Sequence, residues 1–179
     1  MQTILVTGGL GFVGIHTAFV LLRKGYKVII VDSLYNSDFE NIKNLKTLLD
    51  KSMEEAINNL FFFKGDIRDN IFIKSIFEDF SNKGNSINSV LHFAGLKSVE
   101  ESLRYPLEYW DVNVNGSINL LKVMNDFKCH NFVFSSSATI YSPKSISPID
   151  ENSLIKPINP YGQTKNVIEK FLEDLSQSN

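Results

Sequence analysis

Three glycines spaced three apart, Gly8, Gly11 and Gly14, stand between the apolar run Ile4-Leu5-Val6 and a segment whose apolar residues recur at Phe12, Ile15, Ala18, Phe19 and Leu22. An apolar run that stops at glycines reads as a buried parallel strand feeding a tight turn. The recurrence after it reads as a helix, which Arg23-Lys24-Gly25 closes with a basic last turn and a glycine stop. G-x-x-G-x-x-G at a strand-turn-helix junction is a variant of the dinucleotide fingerprint. Glycine permits the turn and lets backbone approach a pyrophosphate, whose charge the bare N–H groups and positive end of the helix stabilise.

The same alternation continues along the chain. A second buried strand is expected at Val28-Ile29-Ile30-Val31-Asp32, a helix from about 39 to 57, and a strand at Leu60-Phe61-Phe62-Phe63. A helix near 71–80, a strand at Val90-Leu91-His92-Phe93, a long helix over 107–127, a strand at Phe132-Val133-Phe134 and a last helix over 161–175 follow. Strand and helix in strict turn predict an α/β, Rossmann-like doubly wound parallel sheet, with residues 1–179 as one dinucleotide-binding domain. Four of the five prolines, Pro143, Pro148, Pro157 and Pro160, mark an irregular loop before the last helix.

Composition narrows the function classes. With 43% hydrophobic and 21% charged residues and no apolar stretch of bilayer length, no membrane insertion is expected. Met1-Gln2-Thr3 has no basic character and the first apolar run turns into glycines, so no signal peptide is expected and the location is read as cytoplasmic. A formal net charge of −2 with dispersed Lys and Arg lacks the footprint of a nucleic-acid binder. Cys129 has no second cysteine to pair with and is read as a packing residue; His16, His92 and His130 lack ligand spacing, so no metal is expected, and His16 and His92 are read as packed.

Asp32 ends the second strand 24 residues after Gly8 (32 − 8), near the spacing of about 20 at which an acid accepts hydrogen bonds from the adenosine ribose. A carboxylate there repels a 2′-phosphate, which predicts NAD rather than NADP. Asp66, in Gly65-Asp66-Ile67, is either within reach of an adenine ring or a turn aspartate. Ser135-Ser136-Ser137-Ala138-Thr139 puts hydroxyls at the carboxyl end of a strand, where ligands of such sheets bind. Tyr161 and Lys165 lie four apart on one helix face, and a nearby ammonium favours the phenolate of a tyrosine whose free pKa is about 10. Such a phenol suits proton removal from an alcohol beside a hydride acceptor.

His92-Phe93-Ala94-Gly95-Leu96-Lys97-Ser98-Val99-Glu100-Glu101-Ser102, Pro106-Leu107-Glu108-Tyr109-Trp110 and Phe134-Ser135-Ser136-Ser137-Ala138-Thr139-Ile140-Tyr141 carry a further signal. Through them the chain resembles the extended short-chain dehydrogenase/reductase family and, within it, the UDP-glucose 4-epimerase group. The resemblance implies Tyr161 as base for the sugar 4-hydroxyl, Lys165 as its electrostatic partner and nicotinamide-ribose ligand, and Ser137 and Thr139 as substrate contacts. For the cofactor it implies Gly8, Gly11, Phe12, Val13 and Gly14 at the pyrophosphate, and Asp32, Ser33, Leu34, Tyr35, Asn36 and Ser37 around the adenosine ribose. Asp66 and Ile67 fall at the adenine, and Phe93, Ala94, Gly95, Leu96 and Lys97 along the central and nicotinamide portion.

The implied reaction interconverts UDP-glucose and UDP-galactose by NAD-mediated transient oxidation at C4 and return of the hydride to the opposite face. Alternatives are an epimerase for an N-acetylated or uronate UDP-hexose, and a non-catalytic NAD-binding module. Related 4,6-dehydratases carry an Asp-Glu pair after the strand-end threonine; Ile140-Tyr141 stands there instead, which disfavours a dehydratase. The resemblance also implies a homodimer through the helices near 107–127 and 161–175. It leads one to expect a further C-terminal substrate region, so residues 1–179 are expected to be the N-terminal part of a longer epimerase, the alternative being a naturally short chain.

Overall fold

The computed structural model describes residues 1–49 and 54–177. Two compact units emerge: Met1–Ala94 with Asn119–Ser135, and Gly95–Ile118 with Ser136–Asn179.

The first unit holds β1 (Thr3–Thr7), α1 (Phe12–Arg23), β2 (Lys27–Asp32), α2 (Glu40–Leu48), α3 (Glu54–Asn58), β3 (Leu60–Lys64), α4 (Asn70–Asn82), β4 (Ile87–His92) and β5 (Asn131–Phe134). The strands form one parallel sheet in the order β3-β2-β1-β4-β5. The order reverses between β1 and β4, so the carboxyl ends of these two strands form the switch point where such sheets bind ligands. Alternate side chains serve opposite faces. Leu5, Ile29, Val31 and Val90 pack with Ile73, Ile76, Phe77 and Phe80, while Ile4, Val6, Val28 and Ile30 pack with Ala18, Leu22, Ile42 and Leu45. β1 and β2 are buried on both faces, which is why they read as unbroken apolar runs; each fully buried aliphatic side chain contributes about 2 kcal/mol.

The second unit contains α5 (Val99–Arg104), α6 (Pro106–Tyr109), a π-helical segment Trp110–Asn115, the first residues of α7 (Gly116–Asp126), a 3-10 turn Ala138–Ile140 and α8 (Pro160–Gln177). Its core is Leu96, Tyr109 and Tyr161 with Val112 against them. The proline-rich stretch is irregular, tied by one antiparallel bridge between Tyr141 and Ile155.

Three expectations change. The helix expected over 39–57 is resolved as α2 and α3, with 50–53 outside the described residues. The long helix over 107–127 runs through a π-helical interior, and α5 was not anticipated. His16 is exposed rather than packed: it shares a helix face with Phe12 and Val20, 77% and 49% exposed, opposite the buried stripe of Ala18 and Leu22. His92 is packed, 1% exposed, with Nδ1 2.6 Å from the Thr7 hydroxyl. Cys129 is buried too, and burial pushes its thiol up to about 11.

Candidate functional site

In the first unit, Gly8 ends β1 at φ +64, and a Cβ there would lie 2.5 Å from the Ala94 nitrogen just beyond β4. A Cβ on Gly14 would lie 2.4 Å from the Gly8 carbonyl oxygen. The turn is therefore shut to side chains at both ends. Gly11 is the N-cap of α1, no side chain caps it, and the bond from Ile15 N to Gly11 O at 2.9 Å is the first of the helix. The N–H groups of Phe12, Val13 and Gly14 precede it, at a helix end that favours an anion. Phe12 and Val13 are exposed.

Asp32 braces this turn. Its Oδ2 accepts from Leu10 N at 2.9 Å, and its Oδ1 accepts from Leu34 N at 2.9 Å and from the Ser37 hydroxyl at 2.7 Å. A carboxylate offers about four acceptor sites, so Oδ2 keeps one that these three bonds do not use. Within the 33–37 loop, Tyr35 N donates to Ser33 Oγ at 3.4 Å, and Tyr35 is 60% exposed. Asp66 follows β3, the neighbour of β2, and forms an ion pair with Arg68 at 2.6 Å while accepting from Arg68 N at 2.9 Å. That geometry makes it a turn aspartate first. Ile67 is buried, and its carbonyl accepts from Asn119 Nδ2 at 2.6 Å. The closed glycine turn, the uncapped helix start and the acid at the end of β2 fit the pyrophosphate and ribose of a dinucleotide.

In the second unit, Tyr161 and Lys165 occupy consecutive turns of α8, 9% and 6% exposed, with Lys165 Nζ 5.9 Å from the centre of the Tyr161 ring. Burial pulls the Lys165 amine down to about 8. The 3-10 turn packs against the start of α8: a Cβ on Gly162 would lie 2.6 Å from the Thr139 carbonyl oxygen. Ser137 opens that turn, and its Oγ accepts from Thr139 N at 3.3 Å and from the Thr139 hydroxyl at 3.0 Å. These two bonds use both lone pairs of Ser137 Oγ and not its O–H. Gly95, Leu96 and Lys97 begin this unit. A Cβ on Gly95 would lie 2.9 Å from Asn113 Oδ1 and 3.8 Å from Lys165 Nζ, so the chain passes there only as glycine.

Asn113 is the residue that sequence reasoning missed. It is 4% exposed; its Oδ1 accepts from Leu96 N at 2.8 Å, and its Nδ2 donates to Leu96 O at 3.0 Å and to Thr164 Oγ1 at 3.1 Å. Thr164 in turn donates to the Tyr161 carbonyl at 2.7 Å. One amide thus ties the 95–97 segment to α8. It lies in the π-helical segment, a rare geometry that recurs at functional sites. On sequence it reads as a polar residue on a helix face; the only hint is that it falls inside a helix rather than at a cap.

A doubly wound sheet with a closed glycine turn, and a helix carrying a buried Tyr-x-x-x-Lys, define the short-chain dehydrogenase/reductase class. The chain belongs to the family described as GDP-mannose 4,6 dehydratase, whose model matches residues 5–179. It is 44% identical over 181 residues to the bifunctional protein gal10 of Schizosaccharomyces pombe, covering 99% of this chain and 24% of that protein. It is 40% identical to the UDP-glucose 4-epimerase of Bacillus subtilis, covering 97% of this chain and 48% of the relative. The crystal structure of UDP-glucose 4-epimerase from Bifidobacterium longum in complex with NAD+ and UDP superimposes with a TM-score of 0.88 at 37% identity, over 99% of this chain and 50% of that one. The chain therefore spans half or less of the length of these relatives.

Proposed function

We propose that the protein carrying this sequence interconverts UDP-glucose and UDP-galactose with NAD, and that residues 1–179 are its NAD-binding and proton-transfer part. The observation that carries the reading is the buried Tyr161–Lys165 pair on α8 beside the Ser137–Thr139 turn. Its similarity to epimerases supports the choice of reaction.

NAD, when bound, supplies a hydride acceptor and then returns the hydride. The amides after Gly11 would hold its pyrophosphate and Asp32 its adenosine ribose, where a carboxylate would disfavour a 2′-phosphate. Tyr161 is the base for the sugar 4-hydroxyl in this reading. Lys165 is its electrostatic partner, and the Ser137 O–H donates to the reacting oxygen while Thr139 fixes the Ser137 rotor. On return, Tyr161 gives the proton back to the same oxygen, so the residues end as they began and no outside oxidant is consumed. A positioned base of this kind contributes roughly 10²–10⁴-fold.

The same proposal includes a homodimer through the helices over 107–127 and 161–175. Leu107 and Val167 expose apolar side chains there.

Tyr161→Phe is the decisive variant. Turnover of UDP-galactose is expected to fall by about 10²-fold or more with NAD content unchanged. Full turnover would remove Tyr161 from the base role and take the proposed mechanism with it.

A further inference from the structure

Helix α5 opens with Ser98-Val99-Glu100-Glu101, the spacing of a capping box. In such a box the cap hydroxyl accepts the N–H of the third helical residue, whose carboxylate reaches back to the cap N–H. The first half is made: Ser98 Oγ accepts from Glu101 N at 3.2 Å. The second half is bridged. The Tyr109 hydroxyl stands in it, accepting from Ser98 N at 2.9 Å and donating to Glu101 Oε2 at 2.7 Å. Tyr109 is fully buried, and its ring meets that of Tyr161 edge-on, with centroids 6.4 Å apart at 81°.

We propose that Tyr109, anchored by Ser98 and Glu101, is a positioning residue that holds the Tyr161 ring in place for proton transfer. The proposal rests on the reading of Tyr161 as the base. A phenol that must meet the same oxygen twice needs a wall that does not move, and misplacement by about 1 Å can cost about 10²-fold. Packing alone lets an aromatic ring slide. Here one end of the wall is pinned by two hydrogen bonds and the other abuts Tyr161, with Leu96 and Val112 filling the sides. Burial, and then the Glu101 carboxylate, push the Tyr109 phenol well above its ordinary value. The anchor therefore stays a neutral donor at the pH where Tyr161 works.

The test compares Tyr109→Phe, Glu101→Ala, Glu101→Gln and the double variant Tyr109→Phe/Glu101→Ala in the full-length protein. It reads kcat, KM for UDP-galactose and bound NAD. Tyr109→Phe and Glu101→Ala are expected to lower kcat by about 10-fold or more while KM and NAD content stay within about two-fold. Glu101→Gln, whose amide oxygen still accepts from Tyr109, recovers most of the rate, and the double variant is no worse than Tyr109→Phe alone. An unchanged kcat in Tyr109→Phe overturns the proposal, as does a rate loss with a parallel loss of NAD, or a Glu101→Gln no faster than Glu101→Ala. Tyr161→Phe, assayed alongside, separates the two readings. If it keeps turnover, the base assignment and the positioning role fall together; if it is inactive while Tyr109→Phe is unimpaired, only the positioning role falls.

Discussion

At the scale of single residues, Lys165 is held in its folded place against a cost. Its amine is pulled from the ordinary 10.5 to about 8 by burial, so below pH 8 the fold carries a charge that it disfavours. The unfolded chain binds the extra proton between the two values, so stability rises with pH through that window and the penalty is gone above it. At pH 7 the shift corresponds to an order of 3 kcal/mol. Lys165→Met is accordingly expected to be more stable than the parent by that order at pH 7, with the gain fading towards pH 10.5, and to be nearly inactive. Urea denaturation at both pH values checks it; an equal or lower stability at pH 7 would show that the amine's contacts outweigh its desolvation. The Tyr161–Lys165 pair was legible in the sequence, because spacing four apart dictates a shared helix face wherever a helix forms. Asn113 was not, since its three partners, two on Leu96 and one on Thr164, lie 17 and 51 residues away.

At the scale of elements, the junction of β1 and α1 shows how a local preference is overruled. Replacing a helical glycine by alanine gains about 1 kcal/mol in propensity. At Gly14 the new Cβ would lie 2.4 Å from the Gly8 carbonyl oxygen and 2.7 Å from Gly9 Cα, backbone atoms that move only if α1 lifts from the sheet. Overpacking costs about 1–3 kcal/mol, so the overlap wins. Gly14→Ala should lower stability by about 1 kcal/mol net and weaken NAD binding, whereas Gly11→Ala, whose nearest atom is 3.3 Å away, should be much milder in denaturation. Similar losses in the two variants would sink the steric account. The elements differed in legibility for a physical reason. β1 and β2, buried on both faces, announce themselves as apolar runs, whereas the Asp69 cap of α4, accepting from Phe72 N at 3.0 Å, was not read from the sequence. The π-helical interior of 110–115 has no periodicity signature, because it shifts the helical register only locally.

At the scale of the whole molecule, the apolar residues that neither core uses become informative. Leu107 and Val167 are 84% and 37% exposed on α6 and α8. A second copy of the chain is the proposed cover. Sedimentation equilibrium of the full-length protein should give twice its single-chain mass, and Val167→Glu should shift the population towards monomer with the fold retained. A monomeric parent at micromolar concentration would reject the dimer. Among the described residues no helix is long and apolar enough to cross a membrane.

The sequence by itself determined what depends on neighbours in the chain. Apolar runs and periodicity set the strands and helices, the glycines set the closed turn, Asp32 ended β2, and the four-residue spacing put Tyr161 and Lys165 on one face. Tertiary structure alone decided what depends on distant partners. It buried Lys165 deeply enough to move its amine, exposed His16 on the outer face of α1, aimed the Asn113 amide at Leu96, and set the Tyr109 hydroxyl into the cap of α5. Desolvation and long-range hydrogen bonds are properties of a packed environment, and no local stretch of sequence contains them.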